Sequence, residues 1–492
     1  MTGAFVAGLP SCWFRLMAVM SRRRPTALLA RCGGILFAAG CASTSPRPAF
    51  RDTAKLVEAR LEQRISWNQG GAEDAAVAAK VRELLSRTLT VDGAVQISLL
   101  NNKTLQATYE DLSVAQADVV QAGLLHNPVF GAGVAFPIAG QVRTGMDVSV
   151  AADFLGVFVL AARKKVAETE LRATKLRVAD AVLRMAADVE GAFYQLSATQ
   201  QIAAMRRTIL EAGDAALDLA TRQHQAGNIS DLDLANQEAL YEQVRTDLVR
   251  SEADVIAVRE SLTRLLGLWG ADTTFKVADK LPEMPTDEVD LGHLESLAIG
   301  RRLDLGAARE EAQAVSHALA MAKNYRWLGS SSVGAAYDRA PEHFTVAGPR
   351  LELEVPLFDQ KQAVIARLEG QLRAALARES ALGVAIRSEV RAVRTRLVVA
   401  RAVVDRYAKV VVPLRQRVVT LSEEQYSAML LGAPQLLLAK QNEVNAYREF
   451  IESLRDYWTA RADLGRVTGG IVPMPEAKRG APSTAPATGA RP

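Results

Sequence analysis

The stretch Asn101-Asn-Lys-Thr-Leu-Gln-Ala-Thr-Tyr-Glu110 lines up without a gap on Arg301-Arg-Leu-Asp-Leu-Gly-Ala-Ala-Arg-Glu310. Downstream of each stretch the chain runs in the same order: a helical run, a pair of short alternating segments, a very long helix and a returning helix. Internal duplication of this kind builds quasi-symmetric halves of one body. Each half here brings one hairpin of alternating strands, and those hairpins restrict what the protein can be.

In the first copy, His126-Asn127-Pro128 is followed by an alternating segment from Val129 to Phe136, a Pro/Gly turn, and Met146 to Phe154. Met146, Val148, Val150, Ala152 and Phe154 share one face, with Asp147, Ser149, Ala151 and Asp153 on the other. The second copy gives Ser330 to Asp338, then Leu351, Leu353 and Val355 opposite Arg350, Glu352 and Glu354. A single such hairpin reads as an amphipathic cover on a soluble core. Two of them, each long enough for a bilayer and each running into a helix too long for a globule, read as strands between lipid and water. Four strands cannot close a barrel, and an open edge in lipid leaves backbone groups unpaired at several kcal/mol each. The chain is therefore expected to oligomerise. Two copies give a minimal barrel with a filled interior, and three give twelve strands with room for a pore. A continuous helical tunnel below the barrel favours three.

The long helices carry their own signal. Pro137 and Pro282 bracket a stretch without proline, in which Leu171, Val178, Val182, Met185, Val189, Phe193 and Leu196 recur at steps of three, four and seven. A helix over residues 160–226 extends about 100 Å, which requires neighbouring helices to hold it. The turn Gln225-Ala-Gly-Asn-Ile-Ser-Asp231 ends it with Gly227 at the C-cap and starts the next with Ser230 or Asp231 at the N-cap. The returning helix carries Leu240, Val244, Leu248, Val255, Val258, Leu262 and Leu265, and stops at Gly267. The second copy repeats this with a helix from about Gln360, a turn near Leu431-Gly-Ala-Pro434, and Ala446, Phe450, Leu454, Tyr457 and Leu464 ahead of Gly469-Gly470. Pro413 has no counterpart in the first long helix and predicts a kink or break.

The chain of 492 residues carries 59 basic and 55 acidic side chains, a balance that gives no reason to expect nucleic acid; the Arg/Glu alternation reads as solvated helix faces. With 49% hydrophobic but only 5% aromatic residues, it suits long helices better than sandwiches. At the N-terminus, Arg22, Arg23 and Arg24 precede a short apolar stretch from Cys32 to Gly40-Cys41, the shape of a secretory signal. Arg31 interrupts any longer apolar run, which makes Met17 and Met20 candidate starts. Small residues before Cys41 resemble a bacterial lipobox, in which the cysteine is acylated and becomes the mature N-terminus; Ala38 stands where that pattern favours Leu. An ordinary signal with an incidental cysteine is the alternative. Processing would remove Cys12 and Cys32, leaving no disulfide or cysteine-based metal site. Residues 43 to 50 read as a flexible tether and Pro475 to Pro492 as a disordered tail. No later apolar run is long enough for a transmembrane helix, so any membrane entry is by strands.

The doubled Asn-Asn/Arg-Arg-x-x-Leu signature, the Val355-Pro-Leu-Phe-Asp359 junction, the Ala226-Gly-Asn-Ile-Ser-Asp-Leu-Asp-Leu234 turn and the closing Leu464 to Gly470 resemble the TolC-type outer-membrane efflux protein family. The resemblance spans roughly residues 90 to 470, with its specificity in the ordered duplication. It implies a mostly α fold with a small β-barrel: a homotrimer with a twelve-stranded barrel in outer-membrane lipid and an α-helical barrel crossing the periplasm. It also implies that the helical tips dock a periplasmic adaptor fed by an inner-membrane pump, and that the channel conducts passively, with metal ions or drugs as cargo. The phrase Tyr426-Ser-Ala-Met-Leu-Leu-Gly432, followed by Leu454-Arg-Asp-Tyr-Trp458, looks most like members near metal-resistance systems. Lys103 and Leu303 depart from the family by replacing a common proline, and Arg326-Trp327 stands where the first copy has Asn127-Pro128.

On this basis the chain divides into a signal (1–40), a lipidated tether with a first helical segment (41–89), a first repeat (90–270), a linker (271–289), a second repeat (290–470) and a tail (471–492). The family constricts its periplasmic entrance with aromatic and acidic residues. Tyr426 retains the aromatic, while the two acids of the second copy fall on Gln435 and Leu438. The first copy keeps Asp231 and Asp233. Asp231 is expected either to cap the returning helix, leaving Asp233 for contacts at the tip, or to serve at the tip itself. Closure around Tyr426 and Gln435 by packing and hydrogen bonds is implied, with less cation selectivity than an acid ring provides.

No catalytic constellation, cofactor site or metal site is expected. His126, His224, His293, His317 and His343 are scattered without ligand spacing, and there is no phosphate-binding glycine loop. A lipid-anchored periplasmic scaffold or adaptor with coiled-coil hairpins is the competing reading, and it leaves the paired strands unexplained.

Overall fold

The structure, a computed structural model, describes residues 44–136, 138, 144–288, 291–339 and 344–471. Cys41 and the signal before it, His343, and the segment from Pro475 to Pro492 lie outside the described residues.

The described chain opens with α1 (Arg47–Leu61) and α2 (Ala72–Leu85). The tether expected over residues 43 to 50 is therefore overturned from Arg47 onward. Ala49 is buried, and the Phe50 ring lies 5.3 Å from both Trp67 and Tyr109, so burial of this turn drives it helical. Pro48 sits in the first turn, where a missing N–H leaves no helical bond unmade.

The first repeat comprises α3 (Val91–Asn101), α4 (Lys103–Ala122), β1 (Val129–Ala135), β2 (Gly145–Asp153), α5 (Gly156–Gln225) and α6 (Asp231–Leu266). A connector with a 3-10 turn at Gly270–Thr273 pairs Val277 with Leu89 and leads to the second repeat. That repeat comprises α7 (Leu294–Arg301), α8 (Leu303–Asn324), β3 (Ser331–Arg339), β4 (Thr345–Leu353), α9 (Gln362–Arg406), α10 (Val412–Ser427) and α11 (Ala433–Thr468). At 70 residues α5 is about 105 Å long. Its seam packs as the periodicity predicts: Val178, Val182, Val189, Phe193 and Leu196 join Leu262 of α6, Ile386 of α9 and Tyr457 of α11 in one core. That core is common to both repeats. No described helix is long and apolar enough to cross a membrane.

The four strands form one antiparallel sheet in the order β1-β2-β3-β4, so β2 of the first repeat pairs with β3 of the second. Register keeps the faces apart: Phe130 pairs with Val150 and Val150 with Ala335, while Val148 pairs with Tyr337 and Val333 with Leu351. On the opposite face Gly133 pairs with Asp147, Asp147 with Asp338, and Ser332 with Glu352. Apolar side chains thus line one surface across both repeats. Phe154, Glu354 and Val355, included in the alternation, fall just beyond the strand ends. β1 and β4 are the edges, each paired on one side within the chain.

Pro413 acts as expected, through a specific device. Between α9 and α10, Tyr407–Val411 form a π-helical turn, and the flanking residues stay in the right-handed helical region. An extra residue per turn accommodates the proline ring and its absent N–H, so the rod bulges instead of breaking.

Candidate functional site

Two points on each repeat carry its geometry: the junction where the returning helix meets the 101/301 motif, and the turn at the far tip. At the first junction, Asn102 Oδ1 accepts from the Leu105 amide at 3.1 Å, capping α4, while its Nδ2 donates to the Leu265 carbonyl at 2.8 Å. Asn101 Nδ2 donates to the Gly267 carbonyl at 2.7 Å. The two amides therefore tie the start of α4 to the end of α6. Gly267 has φ +68°, and a Cβ there would lie 2.9 Å from Asn102 Cα, so a side chain is excluded both by conformation and by space.

The second junction keeps the backbone and changes the chemistry. Arg302 donates bidentately to Asp304, at 3.0 and 2.6 Å, and also to Glu389, which accepts from Arg466 at 2.9 Å. Burial pushes the Glu389 carboxyl up, but hydrogen bonding and charge from Arg302, then Arg466, outweigh it and hold the group below the usual carboxylate range. Asp304 behaves likewise beside Arg302. In the first repeat Glu190 has no such partner among the described residues. It lines a cavity of about 290 Å³ with Tyr194 and Trp458, whose rings stack at 5.3 Å. Burial, with the nearby Asp92 charge adding to it, pushes the Glu190 carboxyl up to about 7.

At the first tip, Gly227 takes φ +73° and the Asn228 amide bonds back to the Gln223 carbonyl at 2.9 Å. Ser230 is the N-cap of α6. Its Oγ accepts from the Asp233 amide at 3.2 Å, and Asp233 Oδ2 accepts from the Ser230 amide at 3.3 Å and from its hydroxyl at 2.7 Å, a complete capping box. Of the two alternatives for Asp231, the structure excludes the cap. Asp233 is committed to the cap, whereas Asp231 is 98% exposed and meets His224 Nε2 at 2.6 Å. The Ser-x-x-Asp spacing carries this signal in the sequence.

At the second tip the equivalent of Gly227 is Met429, which enters the left-handed region at φ +57° although it is not glycine. Its amide bonds to the Tyr426 carbonyl at 3.0 Å, and the Leu430 amide to that of Gln425 at 2.9 Å. Gly432 is the N-cap of α11 and offers no side chain; Gln435, three residues on, donates its amide to the Gly432 carbonyl at 3.2 Å. Met429 is 94% exposed, Leu430 and Leu438 are exposed, and Tyr426 is 37% exposed. Neither the Tyr426 hydroxyl nor the side-chain amide of Gln435, as distinct from its backbone N–H, makes a hydrogen bond among the described residues. The structure thus brings Tyr426 and Gln435 to one tip and Asp231 and Asp233 to the other. Lys440 of α11 meets Glu423 of α10 at 3.0 Å and fastens the second hairpin above its tip. Among the described residues no group of His, Cys, Asp and Glu could hold a metal ion.

Residues 94–268 match the family model described as outer membrane efflux protein. No curated protein matches the chain. Among solved structures, a membrane protein from Pseudomonas aeruginosa is 18% identical with a TM-score of 0.68, covering 80% of this chain and 92% of its own. The CmeC outer membrane channel of Campylobacter jejuni is 14% identical at a TM-score of 0.68, with coverage of 77% and 85%. The open state of the MtrE outer membrane channel of Neisseria gonorrhoeae is 14% identical at 0.64, with coverage of 77% and 89%. These likenesses show the fold, and the family model covers most of the first repeat, whose elements the second repeats in order. Over residues 94–268 the chain is similar to the outer membrane efflux protein family, and over 77–80% of its length it has the fold of these solved membrane proteins.

Proposed function

We propose that three copies of this chain close a twelve-stranded barrel in the outer membrane and continue it as a helical conduit, which receives cargo from an inner-membrane pump through a periplasmic adaptor at the helical tips. The observation that carries this reading is the open four-stranded sheet, apolar on one face, polar on the other and with β1 and β4 as edges. Backbone groups on both edges need strands from other copies, since lipid offers no hydrogen bonds. Eight strands give an interior filled by side chains; twelve leave a bore. Transport is passive at this component, and metal ions and drugs are the cargo classes to test. Acylation at Cys41 supplies a second hold on the membrane.

Native mass measurement of the detergent-extracted complex tests the assembly. A trimer is expected, and a monomer or dimer would overturn it. The intact mature chain should begin at Cys41 and carry acyl chains, lost in Cys41→Ser; a mature N-terminus upstream of Cys41 would rule the anchor out.

A further inference from the structure

On the tip side of the core, a groove of about 430 Å³ runs between the first hairpin and α11. Ile209 and Ala212 of α5, Leu240 and Val244 of α6, and Leu437 and Val444 of α11 give it apolar walls. α11 packs on α5 but scarcely meets α6, which leaves the space between them open. Its volume is that of a small-molecule site.

Two polar side chains reach this groove without a hydrogen-bond partner. Gln237 is only 8% exposed, and among the described residues its amide group makes no hydrogen bond. Arg448 Nε is buried and equally unpartnered, with the Glu452 carboxylate 3.8 Å away. Buried donors and acceptors are ordinarily satisfied, and leaving them unmade is unfavourable. A ligand that supplies the missing partners removes that cost.

The charges on the walls fix the ligand's sign. Arg206, Lys440 and Arg448 line the groove against one carboxylate, Asp247. Asp247 already accepts from Gln243 at 3.2 Å and has Arg250 at 3.8 Å, while Arg206 donates to the Asp247 backbone carbonyl at 2.6 Å. Lys440 is shared between Glu423 and Glu443. Among the described residues Arg206 meets no carboxylate, and Arg448 meets one only at Glu452, 3.8 Å away, without a hydrogen bond, so both guanidinium groups retain donors to spare and Arg448 carries the buried, unpartnered one. We propose that the groove binds an amphipathic organic anion, with its apolar body between α5, α6 and α11, its acid group on Arg448 and a polar substituent on Gln237. An occupant of this kind bridges the first hairpin to the second.

The test uses the full-length protein in its native oligomer in lipid nanodiscs, with empty nanodiscs subtracted. Two probes share one ring system and differ in charge: 1-naphthalenesulfonate and 1-naphthylmethylammonium. Calorimetric titration should show saturable binding of the sulfonate at one site per chain and none of the ammonium over the same range. Arg448→Gln should weaken sulfonate binding roughly tenfold, the scale of a charge-assisted hydrogen bond. Val444→Phe, which fills the groove, should abolish it; if native mass shows that this variant no longer assembles, Ala212→Phe fills the groove from the opposite wall. Equal binding of both probes, undiminished sulfonate binding in an assembled filled variant, or no saturable binding, as when a neighbouring copy covers the groove, overturns the proposal.

Discussion

The turn of the first hairpin, Ala226 to Ser230, and that of the second, Ala428 to Gly432, reverse the chain with the same backbone path and different residues. Gly227 is answered by Met429, Ser230 by Gly432 and Asp233 by Gln435. The first tip caps its helix start with a side chain and presents polar groups together with Leu232 to solvent. The second leaves its helix start without a side-chain cap, holds a long side chain in a left-handed conformation, and exposes Met429 and Leu430. The same division appears inside the repeats, where Glu190 is half-buried without an ionic partner among the described residues and Glu389 is shared by two guanidinium groups. Duplication has preserved geometry and let chemistry diverge.

Four substitutions test this contrast. The largest effect is expected for Glu190→Gln. The folded carboxyl titrates near 7 and the unfolded one near 4.5, so the folded state keeps a proton that the unfolded state has lost, and stability rises as pH falls between those values. Above pH 7 the ionised group costs about 3 kcal/mol, from about 1.4 per pKa unit. Glu190→Gln should recover that much at pH 8 and almost nothing at pH 4.5, measured by urea unfolding of the detergent-solubilised protein at both values. A pH-independent difference would contradict the assignment.

Glu389→Gln is expected to act in the opposite direction. Its folded pKa is depressed, so its contribution is present above the unfolded value and lost as pH falls through the folded one. Removing it deprives Arg302 and Arg466 of a shared partner, at a cost of about 2 kcal/mol near neutrality, the scale of a hydrogen bond to a charged group. The same unfolding series should show the gap closing in acid.

At the tips, Ser230→Ala removes the capping box and should destabilise the start of α6 by about 1 kcal/mol, seen as faster hydrogen exchange of the amides from Asp231 to Leu234. Met429→Gly relieves the left-handed strain and should slow exchange at the second tip by an amount matching somewhat under 1 kcal/mol. Equal exchange at both wild-type tips would remove the asymmetry drawn between them.

Much of this fold is written locally in the chain. Strand faces follow from period two and the α5 seam from helical spacing, and Pro413 marks the place where the second rod must differ. Asn101 and Arg301 lie 200 positions apart but Gly227 and Met429 lie 202 apart, and the π turn accounts for one of the added residues. Local reading fails where partners are remote in sequence. The helix from Arg47 depends on Phe50 meeting Trp67 and Tyr109, and the environments of Glu190 and Glu389 are made by residues on other helices. A charged residue on a helix reads as solvated until its neighbours are known. The choice between the two roles left open for Asp231 is different, because the i,i+3 spacing from Ser230 is present in the sequence and itself decides that Asp233 completes the cap.

The free edges of the sheet bear on biogenesis. In the proposed barrel a lone subunit would leave two rows of backbone groups unpaired in lipid, so strand closure between copies would precede insertion or accompany it. In the proposed assembly no partial pore would persist in the membrane, and the energetics of the open sheet itself would protect the permeability barrier.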